Sequence, residues 1–186
     1  MTNICPRKLK IQSSYIKFDY SPKTKNMSVV ISFTKVDLPY GWMGNMSPFK
    51  VVYDGKDWRT VEALFQALRY ESEEIRERIR SEKSPMAAKM IAKKHRSNMV
   101  IEPMSENDVE NMRMCLRLKI EQNPMIKSKL LITKEFEIIE DIGNRNGERH
   151  LFWGAKKVNG VWEGKNRMGK LWMELREEIR SENENK

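Results

Sequence analysis

Histidine and cysteine are scarce in this sequence of 186 residues, which contains two of each. The histidines are His95 and His150, and no pair of cysteines or histidines has the spacing of zinc ligands. Gly-x-Ser-x-Gly, Gly-x-Gly-x-x-Gly and phosphate-binding loop motifs are all missing. These absences argue against metal-dependent hydrolysis and against a serine or cysteine nucleophile. We predict that the protein uses neither a metal nor a cofactor.

Long apolar runs are missing too, although 39% of the residues are hydrophobic. No run approaches the roughly 20 apolar residues that a membrane-spanning helix needs, and the N-terminus lacks the apolar segment of a signal peptide. The sequence therefore predicts an intracellular, cytoplasmic protein that does not engage a membrane. In that setting Cys5 and Cys115 are expected to be free thiols, with Cys115 buried as a small hydrophobe.

Acidic residues are outnumbered, 26 to 35, by lysine and arginine, which gives a net charge of +9. Basic clusters attract phosphate, on a nucleotide or along a nucleic acid, or they simply form a solvated surface. No recognition helix, zinc knuckle or aromatic RNA-binding strand indicates sequence-specific readout. The basic residues fall in three groups: Arg7, Lys8, Lys10, Lys17, Lys23 and Lys25; Lys89, Lys93, Lys94, His95 and Arg96; and Lys156, Lys157, Lys165, Arg167 and Lys170.

Helical periodicity dominates the sequence after residue 60, and strand-like segments are short. Strands are predicted at Met27–Phe33 and Phe136–Ile139, a hairpin at Asp54-Gly55 and a turn at Asn159-Gly160. Helices are predicted from Glu73 to Glu82, from Ser84-Pro85 to about Lys94, from a capping box at Ser105 to about Gln122, from Pro124, and from Asn166 as N-cap of the last helix. Residues 1–28 are expected to be a basic extension, and residues 181–186 a disordered polar tail.

The segment from Trp58 to Tyr70 separates into two faces at helical spacing. Glu62, Gln66 and Arg69 lie one above another on a polar face. Thr60 is a suitable N-cap and places Glu62 in the first turn. The spacing alone is typical of any amphipathic helix with a solvated polar face. The same three side chains also suit the binding of a polar ligand. The apolar stripe comprises Val61, Leu64, Phe65 and Leu68.

Short motifs follow one another in a fixed order between about Gly44 and Arg176. They are Tyr53–Lys56 (YDGK), Thr60–Ala67 (TVEALFQA), Ser84–Lys89 (SPMAAK), Leu118–Pro124 (LKIEQNP), Phe152–Gly154 (FWG) and Gly164–Arg176 (GKNRMGKLWMELR). In this order they resemble the NADAR (YbiA-like) family. That family consists of N-glycosidases linked to riboflavin-pathway intermediates and to ADP-ribose attached to nucleobases.

The resemblance implies the fold and the class of reaction. It implies a single α+β domain, predominantly helical, over residues 29–180, with a small β-sheet or hairpins. Hydrolysis of an N-glycosidic bond passes through an oxocarbenium-like transition state, which one carboxylate near the anomeric carbon stabilises. The family's signature glutamate falls on Glu62, which we expect to be catalytic.

Other positions of the motifs are expected to bind the substrate. Gln66 is a candidate hydrogen-bond partner for the sugar or base, and Arg69, where many members have lysine, for a phosphate or nucleobase. Trp153 is expected to stack on a base, although a core role is the alternative. Lys89, at the end of the SPMAAK segment, and Asn166 complete the expected substrate-binding set, with a purely structural role as the alternative for Asn166.

His150 marks a departure from the family pattern. Members commonly carry aspartate three residues before the Trp-Gly pair, and this sequence carries His150 there. His150 is expected to act as a general acid on the leaving base, because the unperturbed pKa of histidine lies near neutrality. Alternatively Glu148 or Asp141 takes the role through a different loop path, or the activity is lost.

Three functions remain open at this stage. The first is removal of ADP-ribose from guanine bases in nucleic acid, which the net charge and the basic extension favour because a polyanion rewards a broad basic surface. The second is hydrolysis of a phosphorylated ribosylamino-pyrimidine of the riboflavin pathway. The third is a catalytically impaired protein that binds ADP-ribose or nucleic acid. The expected partner is accordingly a nucleotide-like or ADP-ribosylated nucleic-acid substrate, with DNA or RNA contacting the basic surface.

Overall fold

A computed structural model describes residues 29–184 of the chain. The predicted N-terminal extension, with its basic group and Cys5, lies outside the described residues, as do residues 185–186. The helices are α1 (Val61–Ala67), α2 (Glu73–Ser81), α3 (Pro85–Lys94), α4 (Glu106–Gln122), α5 (Pro124–Ile132), α6 (Glu148–Trp153) and α7 (Arg167–Glu184). The strands are β1 (Val30–Phe33), β2 (Val51–Tyr53), β3 (Lys56–Trp58), β4 (Glu137–Glu140), β5 (Lys156–Val158) and β6 (Val161–Glu163).

The strands form three separate pairs, so the prediction of a mainly helical α+β domain with small sheets and hairpins is confirmed. Strands β2 and β3 form an antiparallel hairpin through Asp54-Gly55, and β5 and β6 form another through Asn159-Gly160. Both turns use positive φ at both residues, as tight hairpins require. Strands β1 and β4 pair in parallel, with Val30 opposite Glu137 and Phe33 opposite Glu140.

The helix starts follow the capping signals of the sequence. The Thr60 hydroxyl accepts a hydrogen bond from the amide of Ala63, and the Ser84 hydroxyl accepts from the amides of Met86 and Ala87. Ser105 caps α4 by accepting from the amide of Asp108. The other half of the predicted capping box is wrong, because the Asp108 carboxylate bonds other groups and does not cap the helix.

The core lies where α7 packs against β4, α4 and α5. The apolar stripe of α7 is buried and comprises Met168, Leu171, Trp172, Leu175 and Ile179. Trp172 at its centre is fully enclosed and donates its indole N–H to the carbonyl of Met43. Cys115 of α4 is a buried free thiol, as expected, and burial raises the pKa of that thiol.

The predicted disordered tail is helical in its first four residues, because α7 continues to Glu184. The cause is long-range: Arg117 of α4 donates hydrogen bonds to Glu178 and Glu182 of α7. The polar composition of residues 181–184 therefore reflects a solvated helix face. Local sequence could not show this, because Arg117, which holds the end of the helix, is distant in sequence.

Candidate active site

Glu62 is buried, with 5% of its surface exposed, so the solvated or half-exposed polar face that spacing predicted for α1 is wrong. Helices α3 and α4 both pack against α1 and cover this face. The amide of Glu62 donates to the carbonyl of Asn45, 3.0 Å away, which ties the first turn of α1 to the preceding loop. The signature carboxylate is thereby held in a fixed position.

A chain of charge-assisted hydrogen bonds supports the Glu62 carboxylate. Gln66 Nε2 donates to Glu62 Oε1 at 2.9 Å, and Gln66 Oε1 accepts from Arg69 Nη1 at 2.9 Å. Arg69 in turn grips Asp108 with two bonds, from Nε to Oδ1 at 2.7 Å and from Nη2 to Oδ2 at 2.9 Å. Because each donor orients the next acceptor, Gln66 can present only its amide N–H to Glu62.

Arg69 is therefore a positioning residue, and its predicted contact with phosphate is corrected. Its side chain is fully buried and paired with the equally buried Asp108. Its guanidinium carbon also lies 4.3 Å from the centre of the Phe65 ring. A group enclosed in this way has no surface to offer a ligand, and its charge instead fixes Gln66 and, through Gln66, Glu62.

Glu62 opens onto a cleft of about 620 Å³, large enough for a nucleotide-sized ligand. Lys89 of α3 lies in its wall with its Nζ 3.6 Å from Glu62 Oε1. The side chain of Lys89 is 39% exposed, so its ammonium can meet a ligand as well as Glu62. Glu62, Gln66 and Lys89 are thus brought together in one cleft, as the sequence predicted.

Trp153 contributes an apolar wall of the same cleft. It is largely buried and packs edge-to-face against Phe65 at 5.6 Å and Phe152 at 5.1 Å between ring centres. The two roles weighed for Trp153 therefore coincide, since the ring belongs to the core and also lines the cleft. Methionines complete the apolar lining: Met86, Met90, Met99, Met104, Met112 and Met168.

Basic side chains surround the mouth of the cleft. Lys93 and Arg96 belong to the second basic group of the sequence, and Arg145 and Arg149 come from the loop before α6 and from its first turn. All four are exposed. Sequence reasoning missed Arg145 and Arg149, because only the folded chain brings them to the same cleft as Lys93 and Arg96.

His150 lines the cleft, and one of its ring nitrogens is already bonded to the backbone. Its Nδ1 lies 2.7 Å from the carbonyl oxygen of Asn146. A carbonyl only accepts hydrogen bonds, so Nδ1 carries the proton, and Nε2 of the neutral ring has none to give. His150 donates from Nε2 only as the imidazolium.

Two residues that line the cleft each have a buried side-chain oxygen without a hydrogen-bond partner within residues 29–184: Asn45 Oδ1 and Glu140 Oε2. Sequence reasoning missed both residues. Glu140 is the last residue of β4, and burial raises the pKa of its carboxyl group to about 7. Arg145 and Lys89 act to lower that pKa and the nearby Glu62 carboxylate to raise it. The one available signal was an acidic residue that ends an apolar strand before a glycine-containing loop.

Asn166 is structural, and its predicted contact with substrate and its predicted capping bond are both corrected. Its side chain bridges to β4, donating to the carbonyl of Ile138 at 2.8 Å and accepting from the amide of Glu140 at 3.1 Å. Gly169 permits this approach, since a Cβ there would lie 2.0 Å from the Ile138 oxygen. The closing motif of the sequence therefore clamps the strand that delivers Glu140.

Gly154 of the FWG motif has the same function on the same edge of β4, the edge that faces away from β1. A Cβ on Gly154 would lie 2.4 Å from the carbonyl oxygen of Glu140. The next residue, Ala155, donates its amide to that carbonyl at 2.9 Å. The motif thus supplies the Trp153 wall and, through its glycine, a close backbone contact that fixes Glu140.

The LKIEQNP motif is also structural. Lys119 is fully buried, and its Nζ donates to the carbonyls of Trp42 and Gly44 and to the Ser47 hydroxyl at 2.6–3.0 Å. Gln122 bonds both the amide and the carbonyl of Val52. These bonds hold the loop that carries Asn45 against α4.

No group of three or more histidine, cysteine, aspartate or glutamate side chains within residues 29–184 is arranged to hold a metal ion. Across the same residues, no helix combines the length and the apolar character needed to cross a membrane.

The fold and the cleft define a class of protein: a small α+β domain with a nucleotide-sized cleft, in which a buried carboxylate lies between basic and apolar walls. Comparison with known proteins identifies the class. The NADAR domain model matches residues 32–180, so the chain belongs to the NADAR family.

Comparison with individual proteins extends this assignment. N-glycosidase YbiA of Escherichia coli (strain K12) is 34% identical over 150 residues, a match that covers 81% of this chain and 88% of that protein. Riboflavin biosynthesis protein VVA0006 of Vibrio vulnificus is 26% identical over 165 residues, 86% of this chain and 41% of that protein. The NMR structure of the E. coli protein YbiA superposes with a TM-score of 0.70 at 33% identity, covering 84% of this chain and 88% of that one. The prediction of a hydrolase acting on N-glycosyl bonds is confirmed at this level.

Proposed function

We propose that this protein is an N-glycosidase that removes ADP-ribose from guanine bases in nucleic acid. The observation that carries the proposal is the pairing of a buried, oriented carboxylate with a wide basic mouth. Glu62 lines the cleft while Gln66 and Lys89 hold its charge. Such a carboxylate stabilises positive charge that develops on the anomeric carbon as the bond to the base breaks.

The basic mouth supports a substrate with more than one phosphate. Lys93, Arg96, Arg145 and Arg149 lie on different elements around one opening. ADP-ribose carries two phosphates, and a nucleic-acid strand adds further negative charge on both sides of the modified base. A distribution of cations around a cleft suits such a ligand, because one small phosphate needs a single compact pocket.

Helix α3 supports a nucleic-acid partner more directly. Met86, Lys89, Met90 and Lys93 recur at helical spacing and line the cleft. Met86 and Met90 remain about half exposed, which is unusual for large apolar side chains beside two lysines. An alternation of apolar and cationic groups matches a single strand, whose bases seek apolar contact and whose phosphates seek cations.

A phosphorylated ribosylamino-pyrimidine is the second candidate substrate. The observation that favours it is the relationship, at 26% identity, to a protein named for riboflavin biosynthesis. The same Glu62 carboxylate would serve this reaction, and Lys89 with one arginine of the mouth would bind its phosphate. The two candidates differ in how much of the basic mouth they use.

The test is an assay of product release with both substrates. The purified full chain is incubated with single-stranded DNA that carries ADP-ribosylated guanine, and separately with a ribosylamino-pyrimidine phosphate. Glu62→Gln is the inactive control, and Glu74→Gln, an exposed glutamate of α2, is the matched neutral control. Release of ADP-ribose by wild type and Glu74→Gln, but not by Glu62→Gln, supports the proposal.

Three other outcomes of this assay would change the assignment. Turnover of the small phosphate alone would replace the proposal by the second candidate. Undiminished release by Glu62→Gln would show that the carboxylate assignment is wrong. Tight binding of ADP-ribose without turnover of either substrate would identify a binding protein that has lost its activity.

A further inference from the structure

Glu62 and Glu140 are two carboxyl groups that line one cleft in opposite surroundings. Glu62 accepts a hydrogen bond from Gln66 and lies beside the Lys89 ammonium, and both stabilise a negative charge. Glu140 has an oxygen, Oε2, that is buried without a partner. A buried carboxyl oxygen without a hydrogen-bond partner favours the protonated group, which can give its proton to a ligand.

The reaction needs such a donor on the side of the base. When the C1′–N bond breaks, its electron pair moves to the nitrogen of the base, and a neutral amine leaves only if that nitrogen gains a proton. The His150 ring faces the cleft with its Nδ1 proton directed to Asn146. Neutral His150 therefore cannot supply the proton.

The backbone of Glu140 is fixed at both of its polar groups, the amide and the carbonyl. Its amide donates to Asn166, and its carbonyl accepts from Ala155 and packs against Gly154. The carboxyl group is consequently carried into the cleft by a strand end with little freedom, as a reacting group must be.

We propose that Glu140 is the general acid of this cleft and protonates the leaving nitrogen, while Glu62 acts on the sugar and the attacking water. This inference rests on the proposed N-glycosidase function. In the step, the C1′–N bond breaks as the Glu140 proton moves to nitrogen. Water then bonds to C1′ and gives one proton to the Glu62 carboxylate. One water is consumed, and transfer of that proton to Glu140 through solvent restores the starting state.

Burial of Glu140 raises the pKa of its carboxyl group to about 7, which suits an acid that works near neutral pH. The charged and titratable groups that share its cleft are Glu62, Lys89, Lys93, Arg96, Arg145, Glu148, Arg149 and His150. The apparent pKa values of a rate profile belong to this coupled set, so the assignment needs variants rather than the wild-type profile alone.

The experiment measures kcat/KM between pH 5 and 9 for whichever substrate wild type turns over. Glu140→Gln removes the acid with little change of shape, and Glu140→Asp retains a carboxyl group. Glu137→Gln, an exposed residue of the same strand, is the matched control, and His150→Gln tests the competing acid. Thermal melts verify that each variant is folded.

We expect Glu140→Gln to lower kcat/KM about 10²–10⁴-fold and to abolish the decline of rate above pH 7, with partial recovery in Glu140→Asp. A rate within threefold of wild type would overturn this inference alone. So would a reduced rate with an unchanged alkaline limb, or a limb that disappears only in His150→Gln. Failure of wild type on both substrates would overturn the proposed function, and this inference with it.

Discussion

Glu62 and Glu140 lie in one cleft, and the comparison between them shows how a fold gives two identical side chains different chemistry. Glu62 is held at its carboxylate, through Gln66, by a charge network inside the protein. Glu140 is held at its backbone, and one of its carboxyl oxygens has no partner. Hydrogen bonds to the carboxylate favour its ionised form. Hydrogen bonds to the backbone alone do not, so burial of the carboxyl group favours its protonated form.

The largest expected effect comes from breaking the support of Glu62. Arg69→Met removes the cation and leaves the Asp108 carboxylate buried without its partner. We expect the free energy of unfolding to fall by about 3–5 kcal/mol. Urea denaturation at pH 7 measures this loss, and Arg78→Met, at an exposed position of α2, is the control.

The double variant Arg69→Met/Asp108→Leu tests the reason for that loss. It replaces the buried pair by apolar groups and should recover much of the stability, because the uncompensated charge is gone. Activity should remain low in both variants, since Gln66 loses the bond that orients it toward Glu62. Full activity in the folded double variant would contradict the positioning role of Arg69.

The next effect concerns the support of Glu140. Asn166→Ala removes two hydrogen bonds to β4 and leaves the Glu140 amide and the Ile138 carbonyl without their side-chain partner. Asn166 also has φ of +49°, which alanine adopts less readily. We expect a loss of about 2–3 kcal/mol in thermal or urea unfolding.

Activity separates this variant from the loss of a substrate contact. If Asn166 only positions Glu140, kcat should fall while the affinity for ADP-ribose stays close to that of wild type. A large loss of affinity with unchanged kcat would restore the direct contact that the sequence predicted.

Local signals account for what the sequence predicted well. Thr60, Ser84 and the α7 stripe each act within one or two turns, so their helices could be read directly. The residues that were missed depend on distant partners. Arg69 and Asp108 are 39 positions apart in sequence, and the spacing of Asp108 after Ser105 instead suggested a local cap.

Glu140 illustrates the same limit more strongly. Its strand pairs in parallel with β1, more than 100 residues earlier, and local sequence does not reveal that pairing. Asn166, which was read as a substrate contact, and the glycine after Trp153 both prove to hold that strand. The order of the motifs identified the family, but it could not distinguish residues that contact the substrate from residues that contact the backbone.

Stability as a function of pH offers a smaller but more direct test of the comparison. The pKa of Glu140 is near 7 in the folded state and about 4.5 in the unfolded chain, so the unfolded state releases its proton first as pH rises. The stability that protonated Glu140 provides is full below pH 4.5 and is lost as pH rises to about 7. Ionised Glu140 then costs at most about 3 kcal/mol.

Glu140→Gln removes this dependence, since an amide does not titrate in the range. Allowing for burial of the amide, we expect the variant to exceed wild type by about 1–2 kcal/mol at pH 8 and to show no gain at pH 4.5. Urea midpoints at the two pH values measure the difference, and Glu62→Gln should show no such gain because it loses a stabilised carboxylate. Equal stability of Glu140→Gln and wild type at pH 8 would show that Glu140 is not destabilised by ionisation.

The smallest effect on the fold should come from Arg149, which is exposed at the mouth of the cleft. Arg149→Gln should change the free energy of unfolding by less than about 0.5 kcal/mol, as is usual for surface positions. If its charge meets phosphate, KM for the ADP-ribosylated strand should rise, and the slope of log(kcat/KM) against log[salt] should decrease by about 0.7, the value for one phosphate contact on a single strand. Lys134→Gln, an exposed cation outside the cleft lining, is the control. An unchanged salt slope would remove Arg149 from the phosphate-binding set and leave both carboxyl groups with their assigned roles, because neither Glu62 nor Glu140 depends on Arg149 for its position.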